Sequence, residues 1–392
     1  MRILFLALFV FGLQLYGITL NEIIQKALNG NLSLKSIKQR IEANQFNIDA
    51  SNQFSNPVIS YVENNIDTNQ AMSSKKITLQ QKIPYFGKRE SLKKVAQEEE
   101  TLLIKNLQQA KVSLINEIKN QAYSIWKLEM LYKIIRDYEN LTVQNIELSK
   151  SYTTTSTNQH MGIVSADLTL SNLRIEKNTL NAQIDMAYAK LSYLTSFKVK
   201  NLEVNLSITT MPTAISLQRG LKNNDAIAIK EQEIQKNKAL VDVTKLNNYP
   251  DMNLIGAYSK RSNFDDFWTV GMSISLPIYG TEDYREQEAK TLLLSAKSLK
   301  KDVKVAVESE FQRAYLQMKS AYDIYQIIHE EALPQVEHMF ELTNSSISTG
   351  GDLFKYIDIL VQKLKLEQKS ISAIENYNRA KAKILALSGE LK

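Results

Sequence analysis

The sequence has no cysteine and only three histidines among its 392 residues. Without thiols, the chain has no disulfide framework, no thiolate nucleophile and no cysteine that could carry a lipid. His160, His329 and His338 share no close metal-ligand spacing. No phosphate-binding glycine loop, nucleophile elbow or zinc-protease motif occurs. The sequence therefore predicts no catalytic, cofactor-binding or metal-site residues, and it predicts a protein that is neither an enzyme nor lipid-anchored.

Proline and glycine are scarce as well, with 6 and 12 residues respectively. The long middle stretches are rich in residues that favour helices, mainly Leu, Lys, Ala, Glu and Gln. The net charge of +6 comes from 48 basic and 42 acidic side chains that are interspersed along the chain. This mixture lacks the basic stripe of a nucleic-acid-binding protein, so no nucleic-acid partner is expected. A mainly α protein with a small β part is predicted.

Long apolar runs are missing, apart from one at the amino terminus. There Arg2 precedes an apolar run over 3–16, which is shorter than the ~20 residues that a membrane-spanning helix needs. Residues 1–17 are therefore predicted to be a signal peptide. No other window approaches 18 apolar residues, which excludes a conventional helical membrane protein but not membrane-spanning strands, whose individual signals are weak.

The chain repeats itself at an offset of 193 residues. Matching residues in the two copies are Pro57 and Pro250, Pro84 and Pro277, Gly87 and Gly280, Asn31 and Asn224, and Asn44 and Asn237. Each copy is predicted to be an α-β-β-α-α unit. Pro84, Gly87, Pro277 and Gly280 mark the junctions between strand and helix, because proline ends a strand and glycine permits a sharp change of direction.

The predicted boundaries follow from this duplication. The first repeat, 18–197, contains helices at 19–54, 88–158 and 163–197 and strands at 57–66 and 75–84. A linker occupies 198–213. The second repeat, 214–392, contains helices at 214–247, 281–346 and 352–388 and strands at 250–261 and 267–277.

The last predicted strand alternates without exception between apolar and small or polar residues over 268–276. One fully apolar face of this length is typical of a transmembrane β-strand. Four strands cannot close a barrel, so several protomers would have to share one. The alternative is a soluble sheet, as in a secreted coiled-coil scaffold or adhesin, which would show polar or mixed faces.

The long helices carry coiled-coil seams. In the first repeat the apolar spacing alternates four and three from Leu114 to Ile135, and in the second it does so from Phe311 to His329. A second apolar stripe beside the latter, including Ala314 and Ala321, predicts two packing partners. His329 lies on this seam, which favours a packed or hydrogen-bonded role over metal ligation.

Three segments carry a family resemblance. QKIPYFGKRE at 81–90 and the hairpin turns HMGIVSADLTLS and STGGDLFKYIDIL resemble motifs of the TolC-like outer membrane factors, and the first resembles their metal cation efflux branch. The resemblance covers the predicted mature chain. It implies a homotrimer with a shared 12-stranded β-barrel in the outer-membrane lipid and a coiled-coil helical tunnel in the periplasm. It further implies an exit duct that works with a periplasmic adaptor (membrane fusion) protein and an inner-membrane efflux pump of the resistance-nodulation-division type.

The same resemblance suggests site residues at the periplasmic end. Gate or selectivity positions match Asp358, Asp167 and Asp352, while Gly162, Gly350 and Gly351 match the hairpin tips that contact the adaptor. The match is incomplete, because Val361 stands where a second aspartate is usual and Ile347 falls near the position of a latch tyrosine. Asp352 and Asp358 also fit a simpler role as acids at a helix start.

The cargo implied by the first segment is a heavy-metal cation. Multidrug efflux and type I protein secretion remain the alternatives, because the pump and adaptor of such a system select what passes through the duct.

Overall fold

The computed structural model describes residues 18–64, 73–151, 157–208, 210–347 and 352–389. The predicted signal peptide at 1–17 and the predicted tip residues Gly350 and Gly351 lie outside the described residues. Within this part of the chain, no helix is both long enough and apolar enough to cross a membrane.

The first repeat has the predicted order of elements. It contains β1 (Ile18–Thr19), α1 (Leu20–Gly30), α2 (Leu32–Ser51), β2 (Val58–Asn64), β3 (Ser74–Ile83), α3 (Lys88–Ser151) and α4 (Thr157–Thr195), and then the short β4 (Leu202–Glu203). The two-residue strands β1 and β4 pair in parallel. At 1.5 Å per residue, the 64 residues of α3 extend over about 96 Å.

The second repeat follows the same plan. It contains α5 (Ala214–Gln218), a 3-10 turn (Arg219–Asn223), α6 (Asp225–Asn247), β5 (Met252–Arg261), β6 (Phe267–Ile274), α7 (Thr281–Ile327), a π-helical turn (Ile328–Ala332), α8 (Leu333–Ile347) and α9 (Leu353–Leu387). Helical hairpins in both repeats therefore extend from one four-stranded sheet.

The first helix of each repeat is broken, which corrects the predicted continuous helices 19–54 and 214–247. The breaks fall at Asn31 and Asn224, two positions related by the 193-residue offset. Each asparagine has extended backbone and caps the next helix through its side-chain oxygen. Each also donates from Nδ2 to the carbonyl at the end of a returning helix, 2.9 Å to Leu194 and 2.8 Å to Leu387. These two carbonyls are again 193 residues apart, so the duplication extends to single hydrogen bonds.

Two other helix predictions were wrong in detail. The returning helix of the first hairpin begins at Thr157 and not at 163. The predicted helix 281–346 is interrupted by the π-helical turn, directly before Pro334. Proline has no N–H to continue an α-helical ladder, and a wider turn accommodates its ring.

The four longer strands form one antiparallel sheet in the order β2-β3-β5-β6. All four strands were predicted, but the strands predicted at 250–261 and 267–277 are shorter in the structure. The strand predicted at 57–66 begins at Val58, and its last two residues lie outside the described residues. Pro57, Pro250 and Pro277 lie outside the hydrogen-bonded ladder, because proline cannot donate to it.

One face of the sheet is apolar and exposed. Along rows of paired residues, the face presents Tyr61, Ile77, Tyr258 and Trp268, then Ile59, Leu79, Gly256 and Val270, then Gln81, Leu254 and Met272, and finally Ile83, Met252 and Ile274. Trp268 is 79% exposed and Val270 is 90% exposed. The opposite face carries mainly Ser, Thr, Asn, Gln and Lys, together with Val58, Val62, Ile255 and Phe267. The predicted alternation between an apolar and a polar face is confirmed for β6.

The helices bury three clusters, of which the first and the third are equivalents in the two repeats and the second lies nearer the tips. The first joins α1, α3 and α4, the second joins α3, α4 and α9, and the third joins α7 and α9. The predicted coiled-coil seams contribute buried residues to these clusters. Ile118, Ile125, Ile135 and Met318 have no exposed surface. His329 is exposed at the edge of the second repeat's seam, where its Nε2 lies 2.9 Å from Ser370 Oγ and its ring lies against Tyr325.

Candidate functional site at the helical tips

The two returning helices, α4 and α9, run side by side in the same direction. Near their starts, Gly162 approaches Leu353, and further along, Gln368 Nε2 donates to Glu176 Oε1 at 2.8 Å. These partners are 191 and 192 positions apart. Asp167 and Asp358, which are 191 positions apart, therefore lie at the same level along the two helices.

Gly162 lies where the two hairpins approach each other closely. A Cβ atom at this position would lie 3.1 Å from Leu353 Cβ and 3.2 Å from the Phe354 backbone nitrogen. The sequence predicted a turn here, but the structure places Gly162 inside α4, buried against α9. Its part in the site is to let two helices approach, and the exposed apolar residues beside it are Met161 and Val164.

Tyr356 ties the second hairpin to the first. Its side chain is fully buried, and its hydroxyl accepts a hydrogen bond of 3.0 Å from Asn145 Nδ2 on α3. Burial raises the pKa of the Tyr356 hydroxyl to about 12. The group therefore stays a neutral hydrogen-bonding phenol at physiological pH. The sequence did not predict this contact between α3 and α9.

A second polar contact between the hairpins lies nearby, where Tyr138 on α3 is a neighbour of Glu367 on α9. Burial raises the pKa of the Glu367 carboxyl, against the opposing effects of Tyr138 and Lys363. In the first hairpin, hydrogen bonding by Lys177 and Arg174 on α4 keeps the pKa of Glu139 low, against partial burial.

The three predicted gate aspartates have different settings. Asp352 is the N-cap of α9, where its Oδ1 accepts from the Phe354 nitrogen at 2.9 Å. Asp358 is exposed on α9 and accepts from Gln362 Nε2 at 2.8 Å. Asp167 is exposed at the matching level of α4. Asp352 therefore has the simpler role that the sequence also allowed, whereas Asp358 and Asp167 present carboxylates to solvent.

Asp358 belongs to a polar stripe that follows α9 at alternating spacings of three and four residues. The stripe comprises Lys355, Asp358, Gln362, Lys365, Lys369, Ser372, Asn376, Arg379 and Lys383. Part of it lines a groove of about 1230 Å³ beside α7. Its other charged members are basic, so Asp358 is the single acidic residue of this stripe and lies between Lys355 and Lys365.

The predicted strand–helix junctions show why glycine is required there. Gly87 and Gly280 have positive φ angles of 86° and 72°, which residues with a Cβ rarely adopt. Beside Gly87, Lys88 Nζ lies 2.7 Å from Asp251 Oδ1, and Lys82 Nζ lies 3.1 Å from Asp251 Oδ2. This ion-pair cluster joins the end of β3 in the first repeat to the start of β5 in the second repeat.

A buried carboxylate also links the repeats at mid-height. Glu375 on α9 has a side chain only 2% exposed, and it contacts Lys127 Nζ at 2.9 Å and Arg379 Nη1 at 3.0 Å. Ser124 Oγ adds a hydrogen bond of 3.3 Å. The two cations and the hydroxyl compensate the burial of this charge.

No protein-family model matches the chain. The cobalt-zinc-cadmium resistance protein CzcC of Cupriavidus metallidurans is 23% identical over 166 residues, which are 42% of this chain and 39% of that protein. The alignment thus spans about two fifths of this curated relative.

Solved structures match over nearly the whole chain. The open state of the Neisseria gonorrhoeae MtrE outer membrane channel superimposes with a TM-score of 0.81 at 14% identity, covering 94% of this chain and 88% of that one. The Campylobacter jejuni CmeC outer membrane channel superimposes with a TM-score of 0.78 at 14% identity, covering 94% and 85%.

The chain has the fold of the TolC-like outer-membrane channels.

Within this TolC-like fold, the hairpin tips meet through small residues and a buried tyrosine. The tyrosine contact between the hairpins that the structure describes is that of Tyr356 on α9 with Asn145 on α3. Heptad spacing could have shown that Tyr356 is buried, but not that Asn145 would be its partner, because the partner lies more than 200 residues away in sequence.

The TolC-like chain has no evident metal centre in the part that the structure describes, where no group of three or more His, Cys, Asp or Glu side chains could hold a metal ion. His160 and His338 are exposed there. The exposed carboxylates of Asp167 and Asp358 are thus single groups in one protomer, and threefold repetition would be needed to bring several of them together.

Proposed function

We propose that the protein is the outer-membrane channel-tunnel component of a tripartite efflux system. The apolar face of the sheet is the observation that carries this proposal. In the described residues that face has no covering element, and β2 and β6 are sheet edges that each pair with one strand only. Lipid satisfies an apolar face of this kind, and closing the sheet with other protomers satisfies its edges.

Three protomers would contribute twelve strands to one barrel, and their helices would form a tunnel on the periplasmic side. α4 supports this assembly, because it carries an exposed apolar stripe along its length. The stripe comprises Met161, Val164, Leu168, Ile175, Met186 and Tyr193. A stripe at helical spacing needs a helix of a neighbouring protomer to cover it. The channel would be passive, with a periplasmic adaptor at the tips and an inner-membrane pump behind it.

The experiment is fractionation of the mature chain from bacterial membranes. A trimer in the outer-membrane fraction, stable in mild detergent and dissociated by heating, is the expected result. Recovery of a soluble monomer from the periplasm would refute the channel and favour the secreted scaffold or adhesin.

The cargo is proposed to be a heavy-metal cation. The support is the segment at 81–90 together with the relationship to CzcC, a cobalt-zinc-cadmium resistance protein. A deletion strain challenged with cobalt, zinc, cadmium, copper and silver should become sensitive to metal and regain resistance with the gene. Sensitivity to antibiotics and detergents alone, or loss of a secreted protein alone, would replace this cargo with a drug or a protein.

Asp358 and Asp167 are proposed to form a carboxylate ring at the mouth of the assembled tunnel, because they lie at one level and both face solvent. A ring of carboxylates attracts cations and repels anions. Asp358→Asn should reduce cation preference and divalent-cation block in planar-bilayer recordings, whereas Asp352→Asn should leave both unchanged and only weaken the start of α9. Equal effects of the two substitutions would exclude the ring.

A further inference from the structure

A groove of about 1620 Å³ lies where the sheet ends and the helices begin. One wall is the last row of the apolar face, where Ile83, Met252 and Ile274 are paired across β3, β5 and β6. The other wall is formed by the starts and ends of helices from both repeats. The groove therefore continues the apolar face of the sheet towards the polar surface of the helices.

Aromatic side chains cluster around this boundary. Tyr85 and Tyr249 stack with ring centroids 4.5 Å apart, and Phe86 is 91% exposed. The guanidinium of Arg89 lies over the ring of Phe54, with its central carbon 3.7 Å from the ring centroid. Exposed aromatics at the end of an apolar strand face are typical of the membrane–water boundary.

Four basic side chains line the polar wall. Arg89, Lys93 and Lys94 come from α3, and Lys245 comes from α6. None of the four forms an ion pair with a described residue. Arg89 is held in place by its contact with Phe54 and by one hydrogen bond to the Asn52 carbonyl at 2.9 Å, which leaves most of its donors available.

Acidic residues do not cancel this charge at the membrane side. Glu90, Glu98 and Asp242 also line the groove. However, Glu98 lies further along α3 and accepts from Gln232 at 2.5 Å, and Asp242 lies almost a turn further from the sheet than Lys245. The end of the groove that faces the apolar wall is therefore mainly basic, with Glu90 on its wall and Glu286 on α7 near Lys245.

The second repeat reverses this charge. At the 193-residue offset, Glu282 replaces Arg89 and Glu286 replaces Lys93. Acids are the residues that stabilise the first turns of a helix, whereas cations there are unfavourable. Helix stability thus accounts for the acids of α7 but not for the cations of α3, which need another explanation.

We propose that this groove binds an anionic phospholipid of the periplasmic leaflet, an inference that rests on the proposed position of the sheet in the outer membrane. The phosphate contacts Arg89, Lys93, Lys94 and Lys245, since guanidinium and ammonium groups pair well with phosphate oxygens. The acyl chains lie against Ile83, Met252 and Ile274. Each protomer of a trimer carries one such site.

The test is native mass spectrometry of the purified, detergent-solubilised trimer titrated with phosphatidylglycerol or phosphatidylethanolamine. The groove variant is the triple substitution Arg89→Gln, Lys93→Gln and Lys94→Gln. The control is Lys355→Gln, Lys365→Gln and Lys369→Gln, which removes the same charge from the polar stripe of α9. At about 1 kcal/mol for each basic residue near a lipid headgroup, the groove variant should bind phosphatidylglycerol on the order of 100-fold more weakly, with the control unchanged.

Other outcomes would overturn the proposal. Equal binding by wild type and groove variant, or an equal loss in both triple variants, would exclude a built lipid site. Displacement of phosphatidylglycerol by millimolar inorganic phosphate would assign the groove to free phosphate. If the triple variant does not assemble, the exposed Lys94→Gln alone provides the same comparison. If the wild-type protein is a monomer before lipid is added, both the proposed channel and this inference are refuted. If it is a trimer that does not bind phosphatidylglycerol, only this inference is refuted.

Discussion

At the scale of single residues, the approach of Gly162 to α9 has a measurable consequence. A methyl group there would lie 3.2 Å from the Phe354 backbone nitrogen, which cannot move without shifting the start of α9. Overpacking costs about 1–3 kcal/mol, and the better helix propensity of alanine returns up to about 1 kcal/mol. Gly162→Ala should therefore destabilise the protein by roughly 1 kcal/mol in a thermal melt followed by circular dichroism.

Gly30 provides the matched control, because a Cβ there would meet nothing within 4 Å. Gly30→Ala at the end of α1 should be neutral or slightly stabilising. Equal melting temperatures for the two variants would mean that the tips do not pack as the structure shows.

Two glutamates near the tips should respond to pH in opposite directions. Glu139 has a lowered pKa because Lys177 and Arg174 hydrogen-bond its carboxylate. Its stabilisation is therefore present above the unfolded pKa of about 4.3 and is lost as the pH falls through the folded value. Glu367 has a raised pKa because it is buried. Its contribution is present below about 4.3 and is lost as the pH rises through the folded value.

The measurement is the melting temperature of Glu139→Gln and Glu367→Gln against wild type between pH 3.5 and 8. Glu139→Gln should be less stable than wild type near pH 7 and approach it in acid. Glu367→Gln should match wild type in acid and become relatively more stable towards pH 7. Differences that do not change with pH would show that neither carboxylate titrates in these settings.

At the scale of elements, the asparagines at the two helix breaks, Asn31 and Asn224, each bind a returning helix through one side-chain N–H donor. Asn224→Asp keeps the oxygen that caps α6 but loses the Nδ2 donor that binds the buried Leu387 carbonyl. Leaving that carbonyl unpaired and facing a carboxylate should cost about 1–3 kcal/mol in a urea titration. Asn237→Asp makes the same chemical change where Nδ2 binds only its own helix, at the Glu233 carbonyl. If Asn237→Asp loses as much unfolding free energy as Asn224→Asp, the hydrogen bond between Asn224 and the Leu387 carbonyl has no special role in stability.

The elements themselves were largely predictable, because the offset of 193 residues and the apolar periodicities are properties of the sequence alone. The helix breaks were not predicted, although both asparagines were recognised as repeated positions. An asparagine inside a helical pattern shows its capping role only once its distant carbonyl partner is known. The π-helical turn had a local signal in Pro334, but its width depends on how α7 and α9 pack.

At the scale of the whole molecule, the site was less predictable than the fold. The acids at 167 and 358 were predicted by resemblance and remain a prediction, and the structure adds that α4 and α9 place them at one level. The contacts that join the two repeats, Lys88 with Asp251 and Lys127 with Glu375, were not found. Such pairs join residues that are more than 160 positions apart, and a charged residue in a helical sequence looks like any other exposed one.

The duplication is also asymmetric in ways that suit a threefold assembly. Lys88 and Asp251 correspond to Thr281 and Val58 at the 193-residue offset, so the ion pair inside a protomer has no equivalent at the junction with the next protomer. The same holds for the charges of the lipid groove. The junction between the two repeats of one chain therefore differs from the junction between neighbouring protomers. This difference favours the pairing of β3 with β5 of the same chain over pairing with a strand of another chain.

The assignment of the two sheet faces makes the last prediction, because neighbouring residues of β6 point to opposite sides. Val270 lies on the apolar face near the middle of the strand, and Thr269 lies on the polar face opposite Ala257. A lysine on the lipid side costs about 2–4 kcal/mol at the bilayer midplane, and a lysine on the lumen side is tolerated. Val270→Lys should therefore reduce the yield of outer-membrane trimer sharply, while Thr269→Lys assembles and alters only conductance. Assembly of both variants, or failure of Thr269→Lys alone, would show that the apolar face does not lie against lipid.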